Sequence, residues 1–244
     1  MTELPLPGGF VSDVVRVGDT VRRRPGHRAE FVHRLLRHFE RHGWPGAPRL
    51  LGVDAHGREV LSFVDGYVAW RSPTDGVCST RSLVTVARLV RQFHDLTAGT
   101  SLAAPHEVVC HNDLSPKNTV YRDDGGRGLI PVAFIDWDIA APGDRVHDVA
   151  HMCWTYLDLG PSVTDLGATV SRLRAMCDAY GPFDRAHLVD TILWWQDRCW
   201  RGIEAGAANG DPAMAHLRDS GASAAVHAAY DWVAAHRALL QGAL

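Results

Sequence analysis

The chain has no run of about 18 apolar residues, so it offers no membrane-spanning helix. Its first positions, Met1 to Phe10, carry an acid and prolines where a secretory leader would carry a basic segment followed by an apolar one. Disulfide chemistry is thinly supplied. The five cysteines, Cys78, Cys110, Cys153, Cys177 and Cys199, are odd in number, widely spaced and without a C-x-x-C pair, which predicts reduced thiols packed as small apolar groups. Positive charge is not in excess either: a formal net charge of -3 leaves no basic footprint for nucleic acid. These absences predict a cytoplasmic chain with neither nucleic acid nor membrane as a partner. With 46% hydrophobic residues, the 244 positions suffice for one compact two-lobed unit or two small domains.

The most informative stretch is His111-Asn112-Asp113-Leu114-Ser115-Pro116-Lys117-Asn118, followed after a short hairpin by Ile135-Asp136-Trp137-Asp138. Kinase catalytic loops are written H-x-D-L-x-x-x-N, the Asp accepting the proton of the attacking hydroxyl and the Asn holding a magnesium ion. Asp113 and Asn118 have that spacing. A second metal-binding carboxylate comes in kinases from a turn at the end of the next strand, and Asp136 stands in that position. Between Asn118 and Asp136 lie two apolar runs with Asp123-Asp124-Gly125-Gly126 as a turn signal, so a hairpin should carry Asn118 at its entry and Asp136 at its exit, both facing one metal. A lone H-x-D occurs by chance, and His111 alone could be a satisfied core residue. The combined spacing is much harder to reach accidentally.

Carried by these motifs, the chain resembles the aminoglycoside phosphotransferase family, the small-molecule branch of the protein-kinase-like fold, over nearly its whole length. Two departures from protein kinases favour that branch: Ser115 stands where a protein kinase has Lys, and no A-P-E segment follows Asp136, since Ala141-Pro142-Gly143 lacks the acid. The resemblance implies an α+β, two-lobed fold, with a small antiparallel-sheet N-lobe over residues 1–66 and a mainly helical C-lobe over 67–244 holding the catalytic loop and the acceptor pocket.

In the N-lobe, Val14 to Val17 and Thr20 to Arg23 read as strands turned at Gly18-Asp19. The resemblance makes Gly8-Gly9-Phe10-Val11-Ser12 a phosphate loop, with the Gly9 backbone and the Ser12 hydroxyl near the nucleotide, although a plain turn explains the glycines equally well. The strand cation, usually Lys, is replaced by Arg22, Arg23 and Arg24. Period-two alternation from Val21 turns Arg23 towards the cleft and selects it as the phosphate ligand. A helix over Glu30 to Arg41 should pack behind it. Kinases place a Glu there to hold the cation, and Glu30 is the candidate, although the family register falls on Val32 or His33 and a solvent-facing first-turn acid is the alternative. Arg49 to Val53 and Arg58 to Val64 form a further hairpin. By resemblance, backbone groups of Ser62, Phe63 and Val64 read the purine, which leaves ATP and GTP undistinguished.

The remaining expectations concern the C-lobe. An amphipathic helix spans Thr80 to Leu96, with His94 and Asp95 pairing neighbouring backbone; residues 140–145 form a loop; and a helix over about Val146 to Tyr156 carries Asp148, which by resemblance braces the catalytic loop. Three helical stretches follow, Ser162 to Tyr180, Arg185 to Gly206 and Pro212 to Leu240. Their acids, Asp158, Asp178, Asp190, Asp197, Glu204 and Asp231, either line a pocket for a cationic acceptor or form solvated helix faces. The resemblance implies Asp113 as catalytic base, Asn118 and Asp136 as Mg2+ ligands, ATP or GTP as co-substrate, and a small hydroxylated acceptor such as an antibiotic, a sugar or a choline-like alcohol. A kinase-like immunity or binding protein without turnover is the competing reading.

Overall fold

The computed structural model describes residues 2–6, 14–70, 74 and 76–244. Gly9 and Ser12 of the expected phosphate loop lie outside the described residues. Strands β1 (Leu4–Pro5), β2 (Val15–Val17) and β3 (Thr20–Arg23) are followed by helix α1 (Ala29–Arg41) and strands β4 (Leu50–Val53) and β5 (Glu59–Ser62). These strands form one antiparallel sheet in the order β1-β2-β3-β5-β4.

The β3–β5 register pairs Val21 with Leu61 and Arg23 with Glu59. One face of the sheet therefore carries an apolar pair followed by a charged pair. Helix α1 covers that face with Val32, Leu35, Leu36 and Phe39, all buried, at the spacing of one helical stripe.

The chain leaves this sheet through β6 (Tyr67–Val68), which pairs with β8 (Thr119–Asp123), itself paired with β9 (Leu129–Phe134). Helix α2 (Thr80–Thr97) begins where Ser79 accepts a hydrogen bond from the Ser82 N–H, an N-cap worth about 1 kcal/mol. It runs through the core with Leu83, Val86, Ala87, Val90, Phe93 and His94 fully enclosed.

Strand β7 (Val108–Cys110) pairs with β10 (Ala141–Gly143), and β10 occupies the segment expected to be a loop. Only three residues long and containing Pro142, it has no periodicity to betray it. Helices α3 (Arg145–Leu157), α4 (Leu166–Tyr180) and α5 (Leu188–Ala208) follow. Two of these start later than the sequence suggests: Asp165 caps α4 by accepting from the Ala168 N–H, and Arg185–His187 is a 3₁₀ turn before α5.

The expected helix from Pro212 to Leu240 is three helices, α6 (Pro212–Asp219), α7 (Ala222–Ala235) and α8 (Arg237–Gly242). Gly221 takes φ 84°, a left-handed conformation that ends α6, and the chain turns back so that α7 lies against α5. Helix α4 packs on α2 and α3 on α5, completing a helical lobe beneath the sheet lobe.

Candidate active site

Strand β7 delivers the catalytic-loop motif, and the β8–β9 hairpin returns the chain to it. The hairpin closes where the Ile135 N–H donates to the Asn118 carbonyl at 2.9 Å, so Asn118 and the residue preceding Asp136 are held together. Asn112 (φ 66°) and Asp136 (φ 65°) both adopt left-handed backbone, which Asn and Asp tolerate better than most residues. Each kink turns a functional side chain out of an otherwise extended run.

Asp113 is fixed by its neighbours. Asn118 Nδ2 donates to its Oδ2 at 2.7 Å and to its backbone carbonyl at 2.9 Å. With both N–H protons spent, the Asn118 Oδ1 keeps its lone pairs for another ligand. Lys117 Nζ lies 3.8 Å from Asp113 Oδ2, supplying a cation four residues past the Asp, whereas Ser115 is buried and directs no charge into the cleft. The Lys117 position escaped the sequence reading, which looked for a cation two residues past Asp113.

His111 is buried beneath this loop. Its Nδ1 accepts from the Asp113 N–H at 3.3 Å, so Nε2 carries the proton donated to the Ile135 carbonyl at 3.0 Å. The ring thereby ties the catalytic loop to the strand that carries Asp136.

Asp148 on α3 is fully enclosed and accepts three hydrogen bonds, from the His111 N–H (2.7 Å), the Asn112 N–H (2.9 Å) and His94 Nε2 (3.0 Å). Burial alone would raise its pKa. The hydrogen bonds from His94 and from the Asn112 N–H outweigh burial and hold the carboxyl below the ordinary range. His94 is in turn fixed at Nδ1, 2.7 Å from the Tyr180 hydroxyl, while Arg145 Nη1 donates to that same oxygen at 3.2 Å. Tyr180 must then give its proton to His94, which stays neutral, as burial also demands. His94 and Asp95 pair with side chains rather than with backbone as expected, Asp95 bridging Arg91 and Arg145. Although His94, Cys110 and Asp148 bring possible ligand atoms within 4.8 Å of one another, hydrogen bonds already occupy both Asp148 oxygens and both His94 nitrogens, so this cluster is the brace.

On the sheet side Arg23 is nearly buried and meets three carboxylates. Nε donates to Glu59 Oε2 (3.0 Å), Nη1 to Asp136 Oδ1 (3.3 Å), and Nη2 to Asp138 Oδ1. Desolvation works against the charge, but Asp138, Glu59 and Asp136 outweigh it and keep the guanidinium firmly protonated. Asp138 is pushed up by its own burial and by Asp136, a rise that Arg23 only partly offsets. Arg22 points the other way, to Asp54 at 3.2 Å.

Glu30 does not reach Arg23. It is exposed on the first turn of α1, and the buried acid that holds Arg23 is Glu59, directly across the sheet. The α1 residue at the site is His33, with Nε2 2.7 Å from Glu59 Oε1. A guanidinium that meets three carboxylates through three nitrogens takes the place of a Lys–Glu pair, and its buried acid sits on the neighbouring strand.

The expected purine-reading groups are only partly free. The Ser62 N–H donates to the Arg49 carbonyl (2.9 Å) and the Phe63 N–H to the Asp19 carbonyl (2.8 Å), extending the sheet. The Phe63 ring lies under the Arg16 guanidinium, 3.7 Å from it. Several of the C-terminal acids already have partners on their own helices or neighbouring ones. Asp178 pairs with Arg185, Asp190 with Arg237 and Asp197 with Arg201, while Glu204 accepts from Ser223 and Asp158 from Ser162.

The sheet order, the hairpin and the cleft carboxylates define a two-lobed protein of the kinase-like class. Comparisons with known proteins agree. Residues 83–188 match the model of the phosphotransferase enzyme family (APH). The trifolitoxin immunity protein of Rhizobium leguminosarum bv. trifolii is 31% identical over 202 residues, covering 73% of this chain and 74% of the relative. Among solved structures, the aminoglycoside phosphotransferase APH(3'')-Id of Streptomyces rimosus superposes with a TM-score of 0.59 at 18% identity, covering 80% of this chain and 89% of that one. An ethanolamine kinase of Plasmodium vivax reaches a TM-score of 0.64 at 10% identity, covering 91% and 81%. The chain belongs to the aminoglycoside phosphotransferase family.

Proposed function

We propose that the protein transfers the γ-phosphoryl group of ATP or GTP to a hydroxyl of a small molecule, with Asp113 as the base. One observation carries this reading: Asp113 is held on both its side chain and its carbonyl by Asn118, whose own carbonyl binds the Ile135 N–H beside Asp136, the partner of Arg23. A base so fixed accepts the acceptor's proton while Lys117 and Arg23 stabilise charge on the transferring group. Such a positioned base contributes about 10²–10⁴-fold.

The oxygen set suits a hard cation. Among the described residues nothing donates to Asn118 Oδ1, and the Asp136 side chain is half exposed with one oxygen unclaimed by Arg23, so these two residues would hold Mg2+. When bound, the ion would neutralise the nucleotide phosphates. Gly9 and Ser12 are proposed for the phosphate loop, and the carbonyl groups of Ser62 and Phe63, with Val64, for the purine. The partners are a nucleoside triphosphate and a hydroxylated acceptor. The trifolitoxin immunity relative favours an antibiotic or toxin as that acceptor over a housekeeping sugar or amino-alcohol.

A second reading, immunity by binding without turnover, has one observation in its favour: Arg23 already engages Asp136 and Asp138 in ion pairs that a nucleotide and metal must loosen. Nucleotide consumption against a panel of hydroxylated antibiotics, sugars and amino-alcohols separates the two. Turnover with any acceptor establishes the first, and nucleotide-free binding of a toxin with no turnover establishes the second.

A further inference from the structure

One face of the helical lobe is left without a role by the chemistry above. Helix α3 presents His147, His151 and Thr155 at four-residue spacing, and α5 presents Trp195 and Cys199 likewise. The two helices pack together, and their rings form a continuous ladder. Trp154 meets His151 with centroids 5.4 Å apart, His151 meets Trp195 at 5.0 Å, Trp195 meets Trp194 at 4.9 Å, and Trp194 meets His147 at 5.1 Å.

The inner end of this ladder is tied to the catalytic loop. His151 Nδ1 donates to the Leu114 carbonyl at 2.9 Å, and Thr155 Oγ1 donates to the same oxygen at 2.6 Å, one residue past Asp113. The outer end reaches solvent, where Trp194 is 45% exposed with the Arg198 guanidinium 5.4 Å from its ring centre. Cys199, one turn beyond Trp195, is half-buried. Its thiol is raised by burial and by the Asp113 charge, a rise that Lys117 partly offsets.

We propose that this ring-lined face of α3 and α5 is the acceptor wall, and that it takes a hydroxylated molecule with a planar or apolar face and no cluster of positive charges. The exposed indole of Trp194 offers stacking area at little entropic cost, while Asp178, Asp190 and Asp197 each have an arginine partner in Arg185, Arg237 and Arg201. Lys117 at the rim and Arg198 over Trp194 repel a polycation further. The inference rests on the phosphotransferase reading for its acceptor role, but the binding it describes can be measured separately.

The test uses the full chain and two probes, N-acetyl-tyrosinamide (neutral, planar, hydroxylated) and kanamycin (polycationic). Binding is read by tryptophan emission, and occupancy of this face by the rate of iodoacetamide labelling at Cys199, resolved by peptide mass spectrometry with Cys78 as internal reference. N-acetyl-tyrosinamide should slow Cys199 labelling by about threefold or more at saturation, and Trp195→Ala should weaken its binding about tenfold. Trp195→Phe, which keeps a ring and guards against misfolding, should recover most of that loss, and Trp232→Ala should change nothing. Tighter binding of kanamycin than of N-acetyl-tyrosinamide, or no protection of Cys199 by either probe, overturns the proposal. Absence of nucleotide consumption with every acceptor counts against the phosphotransferase reading and not against the binding face.

Discussion

The guanidinium of Arg23 spans the cleft to the carboxylate of Asp136, 113 positions further along the chain, with Nη1 3.3 Å from Oδ1. This contact joins the sheet lobe to the turn that follows β9. Arg23→Ala leaves the buried Glu59 without its ion partner, so it should destabilise the fold by about 3–5 kcal/mol. It should also weaken nucleotide binding well beyond Arg22→Ala, whose pair with Asp54 lies on the opposite face. Chemical denaturation and nucleotide titration of the two variants check this, and equal losses in both would reject the assignment of Arg23 to the cleft.

Asp113→Asn should lower phosphoryl transfer by about 10²–10⁴-fold while leaving nucleotide affinity within a few-fold, because the residue orients the acceptor and does not hold the nucleotide. Single-turnover kinetics beside equilibrium nucleotide binding measure the two effects. Wild-type turnover in this variant would remove Asp113 from the chemistry.

Asn118→Ala should act twice. It removes a proposed metal ligand, and it releases the Asp113 side chain and carbonyl from their shared donor. Nucleotide affinity should therefore lose its dependence on magnesium, and turnover at saturating nucleotide should also fall. A variant with unaltered magnesium dependence would show that Asn118 is only a loop fastener.

Stability should fall as the pH drops below the ordinary histidine range. His94 and His151 are both buried with pKa values depressed, burial being the leading cause, so the unfolded chain binds protons that the folded chain refuses. Their contribution is complete above about pH 6.5 and is lost as pH falls towards the folded values, at up to about 1.4 kcal/mol per pH unit for each ring. Asp148, also depressed, extends the loss below the ordinary carboxylate value. Denaturation midpoints between pH 8 and pH 5, with flatter profiles in His94→Gln and His151→Asn, check the sign. A profile that rises towards pH 5 would contradict it.

Much of this site can be read from spacing because its key residues are local in sequence. His111, Asp113 and Asn118 share one loop, and a hairpin with its own turn signal returns the chain to Asp136, so the interval carries the geometry. Arg23 was legible from alternation along β3, and helices α1, α2 and α3 were legible from their apolar stripes. The partner of Arg23 was not. Glu59 opens a strand 36 residues away, and only the pairing of β3 with β5 sets it opposite Arg23. The one available signal was an acid inside an otherwise apolar strand run. His151 and Thr155 escaped for a similar reason: on a helix they look like ordinary polar positions, and only tertiary packing sets both on the Leu114 carbonyl. The break at Gly221 was misjudged because an alanine-rich run reads as helix on either side of a single glycine.

Trp137, between the two acids of the Asp136–Asp138 turn, is buried against Phe39 of α1, Trp44 just beyond it, Phe93 of α2 and the His111 ring. Trp44 also donates to Gln92, His38 reaches the Leu96 carbonyl, and the Phe134 N–H donates to Gly46. Helix α1 is thus welded at its C-terminal end to the lower lobe, and swinging it outward would drag an indole into water. Packing of this kind opposes the outward swing that a mobile helix would make. Amide exchange across α1 should be equally slow with and without nucleotide; marked slowing on nucleotide binding would show a hinge where the packing shows a weld.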